Sequence, residues 1–233
     1  GPDGALYVAD WYNPIIQHGE VDFRDERRDL NRGRIWKVQY KDNSLLKPSD
    51  MAKASIKELL RSLELPEANL RSQARLLLKH KGWEAVEGPL KEWLKRQRPS
   101  DESYEERLLE ALWVTQSLEE RDEDIVEKLL ASDDFRARAA AVRSLEEKPA
   151  ELKNLESFVT RAVADAHPRV RLEALHVLRA WGGAEAARLA METYRSDMDT
   201  TFEYALWRSM DVLRKDWLPE PQKDPEFFGE DPA

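Results

Sequence analysis

The residues best suited to chemistry lie near the N-terminus and comprise Asp10, Asn13, His18 and Arg24. Carboxylate, amide, imidazole and guanidinium groups at this spacing could bind a cation or orient a polar substrate at the end of a strand. The same residues also suit a structural role, in which Asp10 accepts hydrogen bonds from loop amides and His18 caps a turn at Asn13-Pro14. We favour the structural interpretation and assign no catalytic residue firmly.

Charged side chains of alternating sign follow this cluster along residues 24–32. The residues are Arg24-Asp25, Arg27-Arg28-Asp29 and Arg32. Guanidinium and carboxylate groups this close together form ion pairs readily. We therefore predict a set of ion pairs that fixes a long loop, in preference to an anion-binding site.

The remaining motifs point away from catalysis. No two histidines stand at metal-ligand spacing, and no HExxH, Walker or GxSxG motif occurs. The chain has no cysteine, which excludes thiolate metal sites and CxxCH haem attachment within it. We therefore predict no metal site and no cofactor in this chain, and its cofactor-binding residues are unknown.

Composition limits the classes of partner. The 233 residues carry a net charge of −9, and 36% of them are charged. A duplex-binding surface needs clustered cations that displace phosphate counterions, so no nucleic acid is expected. Apolar runs fall far short of the roughly 20 residues that cross a bilayer, so no membrane span is expected.

The elements that hold the first cluster are β-prone. Residues 5–9 and 34–40 favour strands, and a polar excursion over 13–33 separates them. Two strands bury no face of their own, so we expect this segment to complete a sheet that belongs to sequence outside the chain, or else to pack on the helices.

From Lys47 onward the apolar residues recur at helical spacing. Capping boxes are predicted at Ser103…Glu106 and Thr200…Glu203, and helix ends at Gly82 and Gly182-Gly183.

Repetition is the most informative feature of the helical region. Arg138 aligns with Arg171 and Leu145 with Leu178, and small residues recur about every 30 to 37 positions, as stacked helix pairs require. The recurring residues are Ala74, Ala111, Ala141, Ala174 and Ala205. Five helix pairs are predicted at 49–82, 83–120, 122–149, 152–182 and 184–215.

The predicted fold is therefore mainly α, a HEAT-like α-solenoid of about five helix pairs preceded by a short β segment. We divide the chain into residues 1–46, the helical repeats 47–215 and a Pro-rich acidic tail 216–233. The tail is expected to be extended or disordered unless Trp217 and Phe227-Phe228 dock onto the last repeat.

Tryptophan is abundant, and five of the eight residues lie in the repeats. They are Trp83, Trp93, Trp113, Trp181 and Trp207. At helical spacing most are predicted to be core or inter-repeat residues, and a minority to line a binding surface. His176 stands where related segments carry Trp113 and Trp207, so it is interpreted as a packing or semi-exposed repeat residue and not as a catalyst.

Two segments resemble known families. Arg136–Leu145 and Asp165–Leu178 resemble short bacterial HEAT repeats. Residues 1–40 resemble the last blade of the six-bladed propeller in membrane-bound dehydrogenase-like proteins of the planctomycete and verrucomicrobium type, which are related to glucose/sorbosone dehydrogenases. The matching residues are the run from Gly1 to Ile16, then His18, Arg24-Asp25, Arg28-Asp29 and Gly33-Arg34-Ile35-Trp36.

The resemblance implies an extracytoplasmic, periplasmic or membrane-associated redox parent that uses a quinone cofactor or c-type haem. In that family the propeller is followed by HEAT repeats and then by a cytochrome domain. The cytochrome domain has no counterpart in this chain. The leading hypothesis is a scaffold that contacts domains of its own parent or a protein partner.

Two alternatives stay open. In the first, the N-terminal segment contributes directly to an oxidoreductase site through Asp10, Asn13, His18 and Arg24. In the second, a nucleic-acid-binding module, several arginines would converge on one concave face or else form a ladder between repeats. These are Arg71, Arg75, Arg138, Arg143, Arg169 and Arg171.

Overall fold

A computed structural model describes residues 1, 3–11, 15, 21–42, 44–47, 50–195 and 198–229. Within these residues a short two-stranded sheet precedes a long series of helices, so the prediction of a mainly α fold is confirmed. The chain divides into two compact units, residues 1–74 and 75–233.

The sheet of the first unit is an antiparallel pair. Strand β1, Leu6–Trp11, pairs with β2, Gly33–Val38, so that Leu6 lies opposite Val38. The expected strands are therefore present. Both faces of the pair are open, since Leu6 is 62% exposed on one face and Ile35 is 76% exposed on the other. Within the described residues of this unit, the alternating apolar side chains of the two strands therefore bury little surface.

A capping box begins the first helix of the same unit. Helix α1 spans Ile56–Ser62, and the Ser55 hydroxyl accepts a hydrogen bond from the Glu58 amide while the Glu58 carboxylate accepts one from the Ser55 amide at 2.7 Å. This box is not one of the two predicted from the sequence. Leu59 and Leu60 are buried beneath it.

The helices that follow lie within the five predicted pairs. Their bounds are α2 Ala68–Lys81, α3 Trp83–Leu94, α4 Tyr104–Ser117, α5 Glu123–Leu130, α6 Phe135–Arg143, α7 Leu155–Val163, α8 Pro168–Trp181, α9 Gly183–Met191 and α10 Thr200–Val212. A single 3-10 turn, Pro149–Glu151, separates α6 from α7.

Successive pairs pack in chain order within residues 75–233. The second helix of each pair contacts the second helix of the next, so α4 contacts α6, α6 contacts α8 and α8 contacts α10. The first helices α7 and α9 also contact each other. This arrangement of neighbours is the packing that repeated helix pairs adopt.

The recurring alanines explain the close approach. Ala74, Ala111, Ala141 and Ala174 have no exposed surface, whereas Ala205 on α10 is partly exposed. A side chain of one carbon leaves room for the neighbouring helix, and the leucines and valines beside it fill the remaining space.

Glycine ends two helices as predicted, but the two predicted capping boxes are wrong. Gly82 and Gly182 follow α2 and α8 with φ of 81° and 74°, a conformation that other residues adopt with strain. Ser103 makes no capping hydrogen bond, because its backbone (φ −93°, ψ 14°) is not extended. Helix α10 is capped one residue earlier than predicted, by Asp199, whose carboxylate accepts from the Phe202 amide at 2.8 Å.

The tail is folded back over its described part. Helices α11, Arg214–Trp217, and α12, Glu220–Lys223, replace the expected extended chain. The Trp217 indole donates to the carbonyl of Met210 at 2.8 Å and its ring meets Phe228 edge-on, which matches the docked alternative. Within the described residues, every helix is too short or too polar to span a membrane.

Candidate functional site

Asp10 lies near the end of β1, where β2 supplies its partners. Its carboxylate accepts a hydrogen bond from the Trp36 indole at 3.0 Å and forms an ion pair with Arg34 at 3.2 Å. Arg34 is opposite Asp10 in the register and also lies over the Trp36 ring. The partners are therefore side chains of the neighbouring strand and not the loop amides that we expected.

The other members of the predicted cluster are placed only in part. Arg24 is exposed in the loop between the strands, where its amide donates to the Asp22 carboxylate at 2.8 Å. Asn13 and His18 lie outside the described residues. The proposed convergence of the four side chains therefore stays a prediction.

Ion pairs within the loop support its predicted structural role. Arg27 pairs with Asp25 at 2.8 Å and Arg32 with Asp29 at 3.5 Å. Hydrogen bonds from Arg27 hold the pKa of the Asp25 carboxyl group well below its usual range. Arg28, a member of the same predicted set, is buried and donates to backbone carbonyls within the loop.

A second cluster of the sheet also escaped prediction. The Asp3 carboxylate accepts a hydrogen bond from the Tyr7 hydroxyl at 2.7 Å and pairs with Lys37 at 2.6 Å. The hydrogen bond with Lys37 is the main cause of the lowered pKa of Asp3. The same hydrogen bond is the main cause of the raised pKa of Lys37. The cluster fixes the first turn of the chain against the sheet.

Three arginines at equivalent positions clamp the turn that precedes their own helix. Arg71, Arg138 and Arg171 each direct one guanidinium nitrogen to the backbone carbonyls five and six residues earlier, at 2.7 to 3.1 Å. These carbonyls belong to the turn between the two helices of a pair. The three guanidiniums therefore satisfy backbone acceptors that a tight turn leaves open.

Asp165 joins two consecutive pairs. It lies in the turn between α7 and α8 and receives two hydrogen bonds from Arg138 of α6, at 2.7 and 2.9 Å. Burial raises the pKa of Asp165, but the bonds from Arg138 and the His167 amide outweigh this effect and lower it. The contact is one ion pair of the kind that an arginine ladder between repeats would contain.

Buried glutamates connect the second helices. Arg75 of α2 pairs with Glu110 of α4, and Arg143 of α6 pairs with Glu173 of α8 at 3.1 Å. Glu173 also pairs with Arg169 of its own helix at 2.6 Å. Both glutamates precede the recurring alanine, so the repeated Glu-Ala-Leu motif was a usable signal for these pairs.

Four side chains occupy the same repeat position, two residues after the recurring alanine. We call Trp113, Arg143, His176 and Trp207, on α4, α6, α8 and α10, the second-helix ridge. Because second helices stack in order, equivalent positions share one face. Trp113 and Trp207 are 38% and 57% exposed. Of the five repeat tryptophans Trp93 is buried, Trp83 and Trp181 are half-buried, and Trp113 and Trp207 are exposed, so only Trp93 is a core residue in the strict sense.

His176 on this ridge has a pKa below its ordinary value. Burial lowers its pKa and Arg179 lowers it further, whereas Glu173 and Glu146 act in the opposite direction. Its Nδ1 atom lies 3.0 Å from an Arg179 guanidinium nitrogen, a distance at which the neutral ring accepts a hydrogen bond.

Across the described residues, no group of three or more histidine, aspartate and glutamate side chains is arranged to hold a metal ion. The fold and its recurring contacts define the chain as a mainly α protein of stacked helix pairs with a short β segment.

Residues 1–42 match a family model described as a domain of unknown function, DUF7133. No curated protein and no solved structure matches the chain significantly.

Proposed function

We propose that residues 47–215 are a scaffold that holds other protein modules at a set separation and offers a surface to a protein partner. The observation that carries this proposal is a set of three ion pairs that join the third helix pair to the fourth. Arg138 reaches Asp165, Arg143 reaches Glu173, and Arg161 of α7 reaches Glu127 of α5. Contacts of this kind resist sliding of one pair over the next, which a spacer requires.

The proposed setting is a larger extracytoplasmic redox protein, in which other parts supply a quinone cofactor or c-type haem. The support is the resemblance of residues 1–40 to a terminal propeller blade and the exposure of both faces of the β1–β2 pair. In this proposal residues 1–46 complete a sheet, residues 216–233 close the last repeat, and the chain contains no complete active site.

Direct participation of Asp10, Asn13, His18 and Arg24 in oxidoreductase chemistry is the first alternative. The structure gives Asp10 partners that a structural role already explains. Purified chain should therefore oxidise no aldose in the presence of an artificial electron acceptor. Turnover that disappears in Asp10→Asn would overturn the scaffold proposal and favour this alternative.

Nucleic-acid binding is the second alternative, and the arginine contacts argue against it. Arg71, Arg138 and Arg171 are directed at turn carbonyls and Arg75 pairs with the buried Glu110, which leaves Arg143 and Arg169 of the six, too few for the clustered cations that phosphates require. The proposed function is tested by cross-linking the chain in its native cells. Cross-links from residues 47–215 to one defined polypeptide or module support it, and cross-links confined to the chain itself would overturn it.

A further inference from the structure

The centre of the second-helix ridge holds an excess of exposed positive charge. Arg143 and Arg169 are 58% and 54% exposed at their side chains, yet both pair with Glu173, which is 2% exposed. One carboxylate neutralises one of two guanidiniums. With Arg179 and Glu146 nearby, three cations face two carboxylates at this point of the surface.

These guanidiniums are held in place before any partner arrives. A buried carboxylate fixes the two arginines by opposite oxygens, Oε2 for Arg143 and Oε1 for Arg169. Each guanidinium carries five N–H donors, so most remain available to an incoming carboxylate. Prior anchoring reduces the side-chain entropy that binding would otherwise cost.

Exposed aromatic rings stand on both sides of this centre. Arg75 lies 5.3 Å from the centroid of the Trp113 ring and restrains it on α4, and Tyr204 lies 5.7 Å from the Trp207 ring on α10. Exposed tryptophans and tyrosines are the residues that most often dominate protein interfaces. The ridge therefore has a cationic centre with an exposed aromatic side chain on each side.

From this pattern we infer that the second-helix ridge binds an extended acidic segment of a protein partner, with an apolar side chain at each end of the segment. The inference rests on the proposed scaffold function and names its partner by chemistry. Packed helices lie about 8–10 Å apart, so the three steps from α4 to α10 span some 24–30 Å. An extended chain of about nine residues covers that distance.

A nucleic-acid strand fits the same surface less well. Phosphate binding requires several clustered cations, whereas the ridge centre carries an excess of one and the whole chain a net charge of −9. The turn-clamping arginines Arg71, Arg138 and Arg171 point to backbone carbonyls and add nothing to it.

The test uses a fluorescein-labelled peptide with several central glutamates between terminal tryptophan and leucine, measured by fluorescence anisotropy against the whole chain. A peptide with glutamine in place of glutamate and a single-stranded oligonucleotide serve as comparisons. Arg143→Gln, Arg169→Gln and Glu173→Gln are combined, so that no buried charge is left unpaired. The matched control combines Glu87→Gln with Lys91→Gln, an ion pair within the first helix α3.

The combined ridge variant should weaken peptide binding about tenfold or more, since charge-assisted hydrogen bonds are lost, and the control should leave it unchanged. Trp207→Ala, at a site that is 57% exposed, should weaken it several-fold. No peptide binding, equal binding of the glutamine peptide, unchanged binding by a folded ridge variant, or tighter binding of the oligonucleotide would each overturn the inference. The scaffold proposal is tested separately, by the cellular cross-links.

Discussion

The Arg138 guanidinium and the Asp165 carboxylate form a two-bond ion pair across consecutive helix pairs, at 2.7 and 2.9 Å. The same guanidinium also donates to the carbonyls of Ser132 and Asp133 in its own turn. One side chain thus joins the turn of its own pair to the turn of the next, and both groups are largely shielded from water. This geometry makes the pair a measurable link between repeats.

Replacing Asp165 by asparagine should lower the free energy of unfolding by about 1.5–3 kcal/mol, since hydrogen bonds to charged groups contribute that much. The measurement is urea-induced unfolding followed by circular dichroism. Asp133→Asn is the matched control, because its exposed side chain lies in the neighbouring turn. The control should change the stability by less than about 0.5 kcal/mol. Equal effects of the two substitutions would contradict the assigned link.

The Asp165 contact should also depend on pH in a defined direction. Its pKa is lower in the folded chain than the ordinary value of 3.8, so the folded state favours the ionised carboxylate. The contribution to stability is complete above pH 3.8 and is lost as the pH falls below that value toward the folded-state pKa. The stability difference between wild type and Asp165→Asn should therefore stay constant from pH 7 to pH 5 and shrink in more acidic urea titrations.

His167 caps α8 with its ring and not with a carboxylate or hydroxyl group. Its Nδ1 accepts the Arg169 amide at 3.1 Å, while the ring stacks on Phe135 with centroids 3.6 Å apart. Loss of both contacts in His167→Ala should cost roughly 1–2 kcal/mol in chemical unfolding. His167→Asn keeps a capping oxygen and should recover part of that loss.

A double-mutant cycle separates the cap from the stack. Phe135→Ala removes the stacking partner and leaves the capping acceptor of His167 in place. The coupling energy between the two substitutions should be about 0.5–1.5 kcal/mol, the range of aromatic pairs. A coupling of zero would mean that the rings lie together without stabilising the fold.

Much of the helical fold follows from local sequence patterns. The spacing of Ala111, Ala141 and Ala174 predicted where second helices approach, because only small residues permit that approach, and all three are buried. Helix ends at Gly82 and Gly182 follow from the backbone freedom of glycine. These signals work because each depends on one residue and its chain neighbours.

The functional surface was predicted less well, since it depends on which face of a helix meets another. Trp93 and Trp207 both occur at helical spacing, yet one is buried and the other exposed. Spacing reveals that a tryptophan belongs to a helix, but the neighbouring helix decides its exposure. The partners of Glu173 lie on two helices, and the N-terminal candidates Asn13 and His18 lie outside the described residues.

The β1–β2 pair offers a direct test of the proposed terminal blade. Ile35 is 76% exposed, so Ile35→Lys should change the unfolding free energy of this chain by less than about 0.5 kcal/mol. Leu60→Ala, at a buried site of the same unit, should cost about 2–5 kcal/mol. In a longer polypeptide that supplies neighbouring strands, Ile35 would be covered, and the lysine would then lower the thermal midpoint markedly. An unchanged midpoint there would show that the strand face stays open to water, which contradicts its proposed place in a larger sheet.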